Sequence, residues 1–488
     1  MSKTQWKSNT TFLLAMIGAA VGLGNIWRFP YVFFNNGLGS FLIPYAIAIL
    51  LLGFPAVLLE YAVGVKFKTS ILSIYSKVNK KYQIIGWAIV FISFLLATYE
   101  TGIMSWDLNY LILSFTKSWG SNPDFFFNNV LLQTNNSLSG FFTVVPWLLI
   151  AIACIWFFLW YISHKDLNKG IGLFTSIFVP VLFILCIGLA IYNMTLPGAY
   201  IGYSEFFKPN WSLLLTYNLW VVAFGQILFT LSLGGGAIIA YSSHLPDGTN
   251  LTKNAITVIL SNCAFELINA VGIFSLLGYL SYSTGLAFNE IITEGSGLAF
   301  VAFPQTFNLL GSVGFILGPL FFFSIMIAGL TTAVSDLEPI FDSVSDKFNI
   351  SRKKSVTIMC IIGFLISILY STQMSDLMIK LFDGAISNFA LLFIIILECV
   401  IFGYVYNIDN LIDVLNQKTS IKVGNWWKYI IRYILPIFLT VLWILGIIDL
   451  LSSVDLFSAV VYVIILSSIL IVPFILTRYI KNKESAYS

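Results

Sequence analysis

Twelve apolar stretches, most of them about 20 residues or longer, dominate this chain of 488 residues. A helix of that length crosses the hydrocarbon core of a bilayer. Only 10% of the residues are charged, against about 25% in a typical soluble domain. The chain is therefore predicted to be an all-α polytopic membrane protein, with spans near residues 11–34, 39–65, 84–116, 144–162, 170–192, 214–241, 253–281, 309–342, 354–371, 377–406, 428–448 and 456–477.

The lysine and arginine residues predict the orientation of these spans. If the N-terminus lies inside the cell, 21 of the 25 basic residues fall on the cytoplasmic side, and the outer loops keep Lys117 and Lys208. The positive-inside rule then supports twelve spans in the cell membrane, with both termini cytoplasmic. Because most loops are short, residues 1–488 are predicted to form a single transmembrane domain.

Two of the spans are interrupted by glycine. The first contains "GAAVGLGNIWRFPY" at residues 18–31, and the sixth contains "GQILFTLSLGGGAIIAYSSH" at residues 225–244. Corresponding breaks in two halves of a chain indicate a transporter built on inverted five-helix repeats. We predict repeats at 11–192 and 214–406, followed by two peripheral helices within 428–477.

Backbone groups freed at membrane depth are tolerated where they line a cavity or bind a ligand. Freed carbonyls suit a desolvated cation such as Na⁺, and freed amides suit a carboxylate. Close helix packing would explain a single motif such as Gly18-x-x-x-Gly22. Packing alone explains less well why spans 1 and 6 are both broken at corresponding positions.

These two stretches, together with "NNGLGSFLIPY", resemble the neurotransmitter:sodium symporter family, in particular its prokaryotic amino-acid transporters. The resemblance runs through residues 5–405 and is weak in the last two spans. It implies a sodium-coupled amino-acid symporter that works by alternating access and is not an enzyme. A proton-coupled amino-acid transporter of the same fold is the alternative, and a Na⁺ channel is an alternative from a different class.

The resemblance implies two Na⁺ sites built from hard oxygen donors. The first would use the Ala20 carbonyl, the side chains of Asn25 and Asn262, and the carbonyl and hydroxyl of Thr230. The second would use the carbonyls of Gly18, Val21 and Ala328 and the hydroxyls of Thr331 and Thr332.

The resemblance also implies a substrate site, which Phe229 would cover as an aromatic lid. The substrate carboxylate would meet the amides of Leu23 and Gly24, and its amino group would meet the Ser232 hydroxyl and nearby carbonyls. The residues expected around the substrate are Ala20, Leu23, Gly24, Tyr99, Glu100, Phe229, Thr230, Ser232, Gly235, Thr332 and Asp336.

Three residues at the side-chain end of this site depart from the family pattern. Glu100 aligns with a tyrosine that binds the substrate carboxylate, so either Glu100 faces the site or a local shift brings Tyr99 there. Gly235 replaces a bulky residue, and Asp336 replaces an apolar one. Because charge inside a span is costly, the enlarged and acidic pocket suggests a large polar or basic amino acid as substrate.

Glu266 stands where chloride-dependent members of the family have a small hydroxyl residue. It is expected near Tyr45, Gln226 and Thr230. Because a fixed carboxylate can replace the anion, the resemblance implies transport that does not require chloride.

The resemblance further implies two gates. Arg28 would close the outer gate with Asp383, although a second alignment places Lys380 there; two cations would repel each other, which favours Asp383. Lys3, Trp6 and Asp346 match the inner gate, where Lys3 replaces the usual arginine and lacks its bidentate fork.

Overall fold

The computed structural model describes residues 4–291, 297–419 and 421–479. Those residues are almost entirely helical and contain no β-strand, only two isolated β-bridges. Ten of their helices are long and apolar enough to cross a membrane, judged by length and composition. They are Gly39–Phe67 (span 2), Lys80–Ser114 (span 3), Pro146–Ser163 (span 4), Ile171–Met194 (span 5), Leu251–Thr284 (span 7), Gly314–Phe348 (span 8), Arg352–Ser371 (span 9), Ser375–Val405 (span 10), Asn425–Ile448 (span 11) and Leu456–Arg478 (span 12).

Spans 1 and 6 are absent from these ten because each is divided. Span 1 consists of the helices Asn9–Ala20 and Phe29–Asn35, with a π-helical segment, Gly24–Arg28, between them. Span 6 consists of the helices Tyr217–Thr230 and Ala237–Ser242. All twelve predicted spans are therefore present, each within a few residues of its predicted bounds.

Shorter helices lie in the connections between spans. They are Ile71–Val78, Pro123–Phe125, Leu138–Phe142, Ala199–Phe206, Phe288–Ile291, Phe303–Leu309 and Asp409–Leu415.

Proline shapes the π-helical segments of spans 1 and 2. Because proline has no amide hydrogen, it removes one helical hydrogen bond, and a wider turn accommodates the loss. Just before Pro30, the Phe29 amide bonds the Gly24 carbonyl, five residues back. The same wider turn, Ile49–Gly53, precedes Pro55 in span 2. "WRFPY" therefore shapes the helix immediately after the first break.

Spans 3 and 8 pack along each other and border both breaks. Ser93 of span 3 donates to the backbone carbonyl of Asp336 of span 8 at 2.6 Å. A Cβ atom on Gly329 of span 8 would lie 2.9 Å from Met104 of span 3, so the two helices approach closely. Side chains of these two spans can therefore meet beside the breaks.

Candidate functional site

The break in span 1 deprives two carbonyl groups of their helical donors. A continuous α-helix would pair the amides of Gly22 and Asn25 with the carbonyls of Gly18 and Val21. Instead, the Gly22 amide donates to Asn25 Oδ1 at 2.8 Å, and the Asn25 amide donates to the Gly22 carbonyl at 3.2 Å. The Gly18 and Val21 carbonyls are the two from span 1 that the family resemblance assigns to the second Na⁺ site.

The break in span 6 depends on left-handed backbone conformations. Ser232, Gly234 and Gly236 have φ angles of 52°, 76° and 80°. Glycine adopts such angles readily, whereas a side chain makes them less favourable. The freed Gly234 amide donates to Glu60 Oε1 of span 2 at 2.9 Å. A neighbouring carboxylate thus stabilises the interrupted backbone.

A cavity lies between the two breaks, and the Phe229 ring borders both this cavity and a second space, which we call the vestibule. Leu23, Gly24, Glu100 and Phe229 line both spaces. Ten of the eleven predicted substrate residues line the cavity: Ala20, Leu23, Gly24, Glu100, Phe229, Thr230, Ser232, Gly235, Thr332 and Asp336. The eleventh, Tyr99, lines the vestibule.

Several cavity residues were not predicted from the sequence, among them Ala19, Leu96 and Leu391. Leu96 precedes Glu100 by one helical turn, and residues four apart share a helix face. That spacing could have identified Leu96. Leu391 lies in the apolar run of span 10, where no motif distinguishes it from its neighbours.

Asn25, Thr230 and Asn262 form a buried polar cluster beside the cavity. Asn25 Nδ2 donates to Thr230 Oγ1 and to Asn262 Oδ1, each at 2.9 Å. Asn262 Nδ2 also donates to Thr230 Oγ1 at 2.9 Å. The fold therefore brings together three side chains of the first predicted Na⁺ site, although 237 residues of sequence separate Asn25 from Asn262.

Thr331 and Thr332 lie where span 8 faces the broken part of span 1. Their hydroxyls donate to the Ala328 carbonyl at 3.0 and 3.1 Å, a bond that hydroxyl side chains often form within a helix. A Cβ atom on Gly18 would lie 3.2 Å from Thr331 Cβ, and one on Gly22 would lie 2.5 Å from Thr332 Oγ1. These contacts bring the two helices of the second predicted Na⁺ site together.

Glu266 lies in the polar environment that the sequence predicts. Its carboxylate accepts hydrogen bonds from Tyr45, from Gln226 Nε2 at 2.7 Å and from Thr230 Oγ1 at 2.9 Å. Thr230 therefore connects this carboxylate to the Asn25 cluster.

Glu100 and Asp336 line the same cavity and are 5% and 3% exposed. Among the described residues, Glu100 Oε2 and Asp336 Oδ2 have no hydrogen-bond partner. A Cβ atom on Gly235 would come near only the Ser232 carbonyl, at 3.8 Å, so the space beside that glycine is open. We call Glu100 and Asp336 the acidic pair.

The helix that carries Tyr99 and Glu100 runs without interruption from Gln83 to Ser114. It contains no local shift that would exchange the two residues. Glu100 faces the cavity, while the Tyr99 hydroxyl donates to Asp383 in the vestibule at 3.0 Å.

Arg28 and Asp383 meet above the Phe229 ring. The Arg28 guanidinium lies 4.0 Å from the ring centroid, and its Nη1 lies 3.9 Å from Asp383 Oδ1. Lys380, the alternative from the sequence, pairs instead with Asp376 at 2.7 Å.

At the opposite end of the molecule, Trp6 anchors the N-terminal segment to the end of span 6. Its indole donates to the Tyr241 carbonyl at 2.8 Å, and its amide donates to the His244 carbonyl at 3.2 Å. Asp346 of span 8 accepts hydrogen bonds from Ser70 and Ser73. Lys3, the predicted partner of Asp346, lies outside the described residues.

An ion-paired cluster that the sequence did not suggest lies on the same side as Trp6. Arg352 bonds both oxygens of Glu338, at 2.5 and 2.7 Å, and Glu338 is fully buried. Asp342 lies 3.5 Å from Arg352 and 3.4 Å from His244 Nε2. His244 follows span 6 and is itself buried.

Comparison with known proteins shows the family of the chain. The profile of the sodium:neurotransmitter symporter family matches residues 3–125 and 120–483. A sodium-dependent transporter of Methanocaldococcus jannaschii is 37% identical over 440 residues, which cover 90% of this chain and 89% of the relative. A sodium-dependent dopamine transporter of Caenorhabditis elegans is 28% identical, over 88% of this chain and 78% of the relative.

A solved structure is also similar over most of its length. The crystal structure of MhsT in complex with L-phenylalanine matches with a TM-score of 0.78 and 30% sequence identity. The match covers 91% of this chain and 99% of that structure.

Proposed function

This chain belongs to the sodium:neurotransmitter symporter family and is a sodium-dependent membrane transporter, not an enzyme; we propose that it carries an amino acid together with Na⁺. The cavity between the two helix breaks carries this proposal. Leu23 and Gly24 begin the second half of span 1, where helix amides lack internal partners and suit a carboxylate. The similarity to MhsT, crystallised with L-phenylalanine, supports an amino acid as the substrate class.

We assign two Na⁺ ions to the transport cycle, both as cargo. The first would bind the Ala20 carbonyl and the oxygens of Asn25, Thr230 and Asn262. Asn25 Oδ1 now accepts the Gly22 amide while Nδ2 donates to those two neighbours, so the side-chain amide would turn and give up the Gly22 bond to direct Oδ1 toward the cation. The second would bind the freed carbonyls of Gly18 and Val21, with the Ala328 carbonyl and the hydroxyls of Thr331 and Thr332.

The Arg28–Asp383 contact at one end of the site and the Trp6 contacts at the other suit a transporter that opens to one side at a time. Na⁺ binding would order the breaks, the substrate would complete one Na⁺ shell, and Phe229 would cover it. Arg28 would then close with Asp383. On the other side, the Trp6 contacts and the predicted pair of Lys3 with Asp346 would break, which would open the site there.

Three finer assignments accompany this function. Glu266, held by three donors, would supply the negative charge that chloride provides elsewhere, so transport would not require chloride. The acidic pair and the open space beside Gly235 suit a large polar or basic amino acid. The protein would lie in the cell membrane with both termini cytoplasmic, and its inverted repeats would be 11–192 and 214–406, with peripheral helices within 428–477.

A proton-coupled transporter of the same fold is less consistent with the second site. In such proteins a basic side chain usually takes the place of that Na⁺. Here the Thr331 and Thr332 hydroxyls lie against span 1, and neither position carries a base.

Binding to the purified full-length protein tests the proposal. Each of the twenty amino acids is offered in a scintillation proximity assay, in Na⁺ and in K⁺. We expect binding of at least one amino acid in Na⁺ only. Absence of Na⁺-dependent binding across the whole panel would refute amino-acid symport.

A pair of glycine variants tests whether binding occurs in the cavity. In Gly24→Ala, the new Cβ atom would lie 2.2 Å from the Phe229 ring, so binding should weaken at least about tenfold, roughly 1.4 kcal/mol. In the control, Gly188→Ala, nothing lies within 4 Å of the new atom and binding should be unchanged. Equal binding by both variants would place the substrate elsewhere.

A further inference from the structure

The acidic pair is buried, and each of its carboxyl groups has an oxygen without a hydrogen-bond partner among the described residues, which is typical of a ligand-binding site. Both carboxyl groups line one cavity, and neither forms an ion pair with a described residue. Burying a charged group without a partner is costly, and two carboxylates in one small space repel each other. The pair is therefore stable in an empty site only if it keeps at least one proton.

The neighbouring charged and titratable groups have other partners. Arg28 of span 1 lies across Phe229 and pairs with Asp383 of span 10, to which Tyr99 of span 3 also donates. On the opposite side, Tyr241 of span 6 donates to Ser335, at 2.9 Å. Glu338 of span 8 is held by Arg352. None of these contacts supplies a counter-cation to the acidic pair.

Other buried carboxyl groups have protein partners or lie away from the cavity. Glu60 accepts the Gly234 amide, and Glu266 accepts three donors. Neither oxygen of Asp107 has a partner in the part of the chain that the structure describes, but Asp107 does not line the cavity. Glu100 and Asp336 differ from these groups because both reach the space where a substrate side chain would lie, beside the opening at Gly235.

We propose that the acidic pair binds the cationic side chain of a basic amino acid and releases one proton as that side chain enters. This inference rests on the proposed function. A pair that shares one proton carries one negative charge. When an ammonium or guanidinium group enters and the proton leaves to water, two carboxylates and one cation again carry one negative charge. The exchange therefore keeps the charge of the pocket constant.

The exchange gives the transporter a second coupled ion. On the outer side, the proton leaves as the cationic amino acid binds. On the inner side, the amino acid leaves and the pair takes up a proton from the cytoplasm. The empty carrier would then return with that proton, so uptake of a basic amino acid with Na⁺ would move a proton outward.

Proton release from the purified full-length protein tests the proposal in Na⁺. L-arginine and L-lysine are compared with the uncharged L-citrulline and L-norleucine, either with a pH-indicating dye in weak buffer or by calorimetry in two buffers of different ionisation enthalpy. We expect about one proton per cationic amino acid bound and none per neutral one. The dissociation constant for the cationic amino acid should rise up to about tenfold for each unit by which the pH is lowered.

Variants assign the proton to the pair. In Glu100→Gln and in Asp336→Asn, proton release should disappear and preference for arginine over citrulline should fall at least about tenfold. Glu205→Gln, a control in an exposed pair with Lys208, should release the same proton as the unmodified protein.

Each contrary outcome has a distinct meaning. If only neutral amino acids bind with Na⁺, or if arginine binds without proton release or pH dependence, this inference is overturned and the proposed function stands. Equal proton release with arginine and citrulline, or release that persists in both variants, assigns the proton to another group and also overturns it. If no amino acid binds with Na⁺, the proposed function fails as well.

Discussion

Asp336 and Glu338 lie two residues apart on span 8 and have opposite environments. Asp336 faces the cavity with one oxygen that has no partner among the described residues, whereas both oxygens of Glu338 bond Arg352. Buried charge is expensive in either place. Arg352 balances the charge of Glu338 where spans 8 and 9 pack together. Asp336 instead faces the cavity, where the charge of a bound ligand can balance its own. Glu266, with three donors, resembles Glu338 in this respect.

Removing the partner of Glu338 should have the largest effect. Arg352→Met leaves a fully buried carboxylate without its guanidinium and should destabilise the protein by about 3–5 kcal/mol. The melting temperature in detergent should fall clearly. In the exposed control Lys353→Met it should hardly change, and the double variant Glu338→Met/Arg352→Met should recover part of the loss. Equal melting temperatures for Arg352→Met and Lys353→Met would contradict a structural ion pair.

Removing the charge of Glu266 should alter ion dependence. In Glu266→Ser, Na⁺-dependent amino-acid binding in chloride-free gluconate should weaken at least about tenfold, roughly 1.4 kcal/mol, because the Na⁺ that we propose to bind at Thr230 would lose a nearby fixed negative charge. Added chloride should restore binding. The control Glu266→Gln fills the space with a neutral amide, so chloride should not rescue it. Unmodified protein that already requires chloride would rule out this role for Glu266.

The partly exposed pair of Arg28 with Asp383 should have a smaller effect. At 3.9 Å and with both side chains partly in contact with solvent, it should contribute about 0–1 kcal/mol. Asp383→Asn should therefore weaken substrate binding up to about fivefold, measured in the same binding assay. Lys380→Gln should have no effect, because Lys380 pairs with Asp376. The reverse ranking would favour the alternative alignment.

Among these substitutions, the replacement of Asp336 should change stability least. Because the Asp336 side chain forms no ion pair with a described residue and one of its oxygens has no partner among them, Asp336→Asn should change the free energy of unfolding by only about 0–1 kcal/mol. The melting temperature in detergent, without substrate, is the measurement. If the melting temperature fell as far as in Arg352→Met, Asp336 would have a structural partner and would not differ from Glu338 in this respect.

Much of the architecture followed from local sequence. Apolar runs long enough to cross a bilayer predicted all twelve spans, and the glycine triplet at 234–236 predicted the break in span 6 because glycine tolerates positive φ. The resemblance to a known family supplied most of the cavity residues. The family profile and the relatives confirm that the chain belongs to this family. The roles of individual residues stay predictions.

Other features depended on how the helices pack against each other, which the local sequence does not give. Neighbouring helical residues point about 100° apart, so only the packing of span 3 decides that Glu100 faces the cavity and Tyr99 the vestibule. Charge repulsion already favoured Asp383 over Lys380 as the partner of Arg28, and the 3.9 Å separation between Arg28 and Asp383 agrees with that choice.

The sequence by itself determined where the chain crosses the membrane and where its helices break, because hydrophobic length and glycine conformation are local properties. Tertiary structure decided which of two neighbouring acids of span 8 has a partner. The family resemblance placed Asp336 at the pocket, but nothing in the letters "VSDLEP" predicts that Glu338 pairs with Arg352. The difference arises because span 9 brings Arg352 to Glu338, while Asp336 meets a cavity.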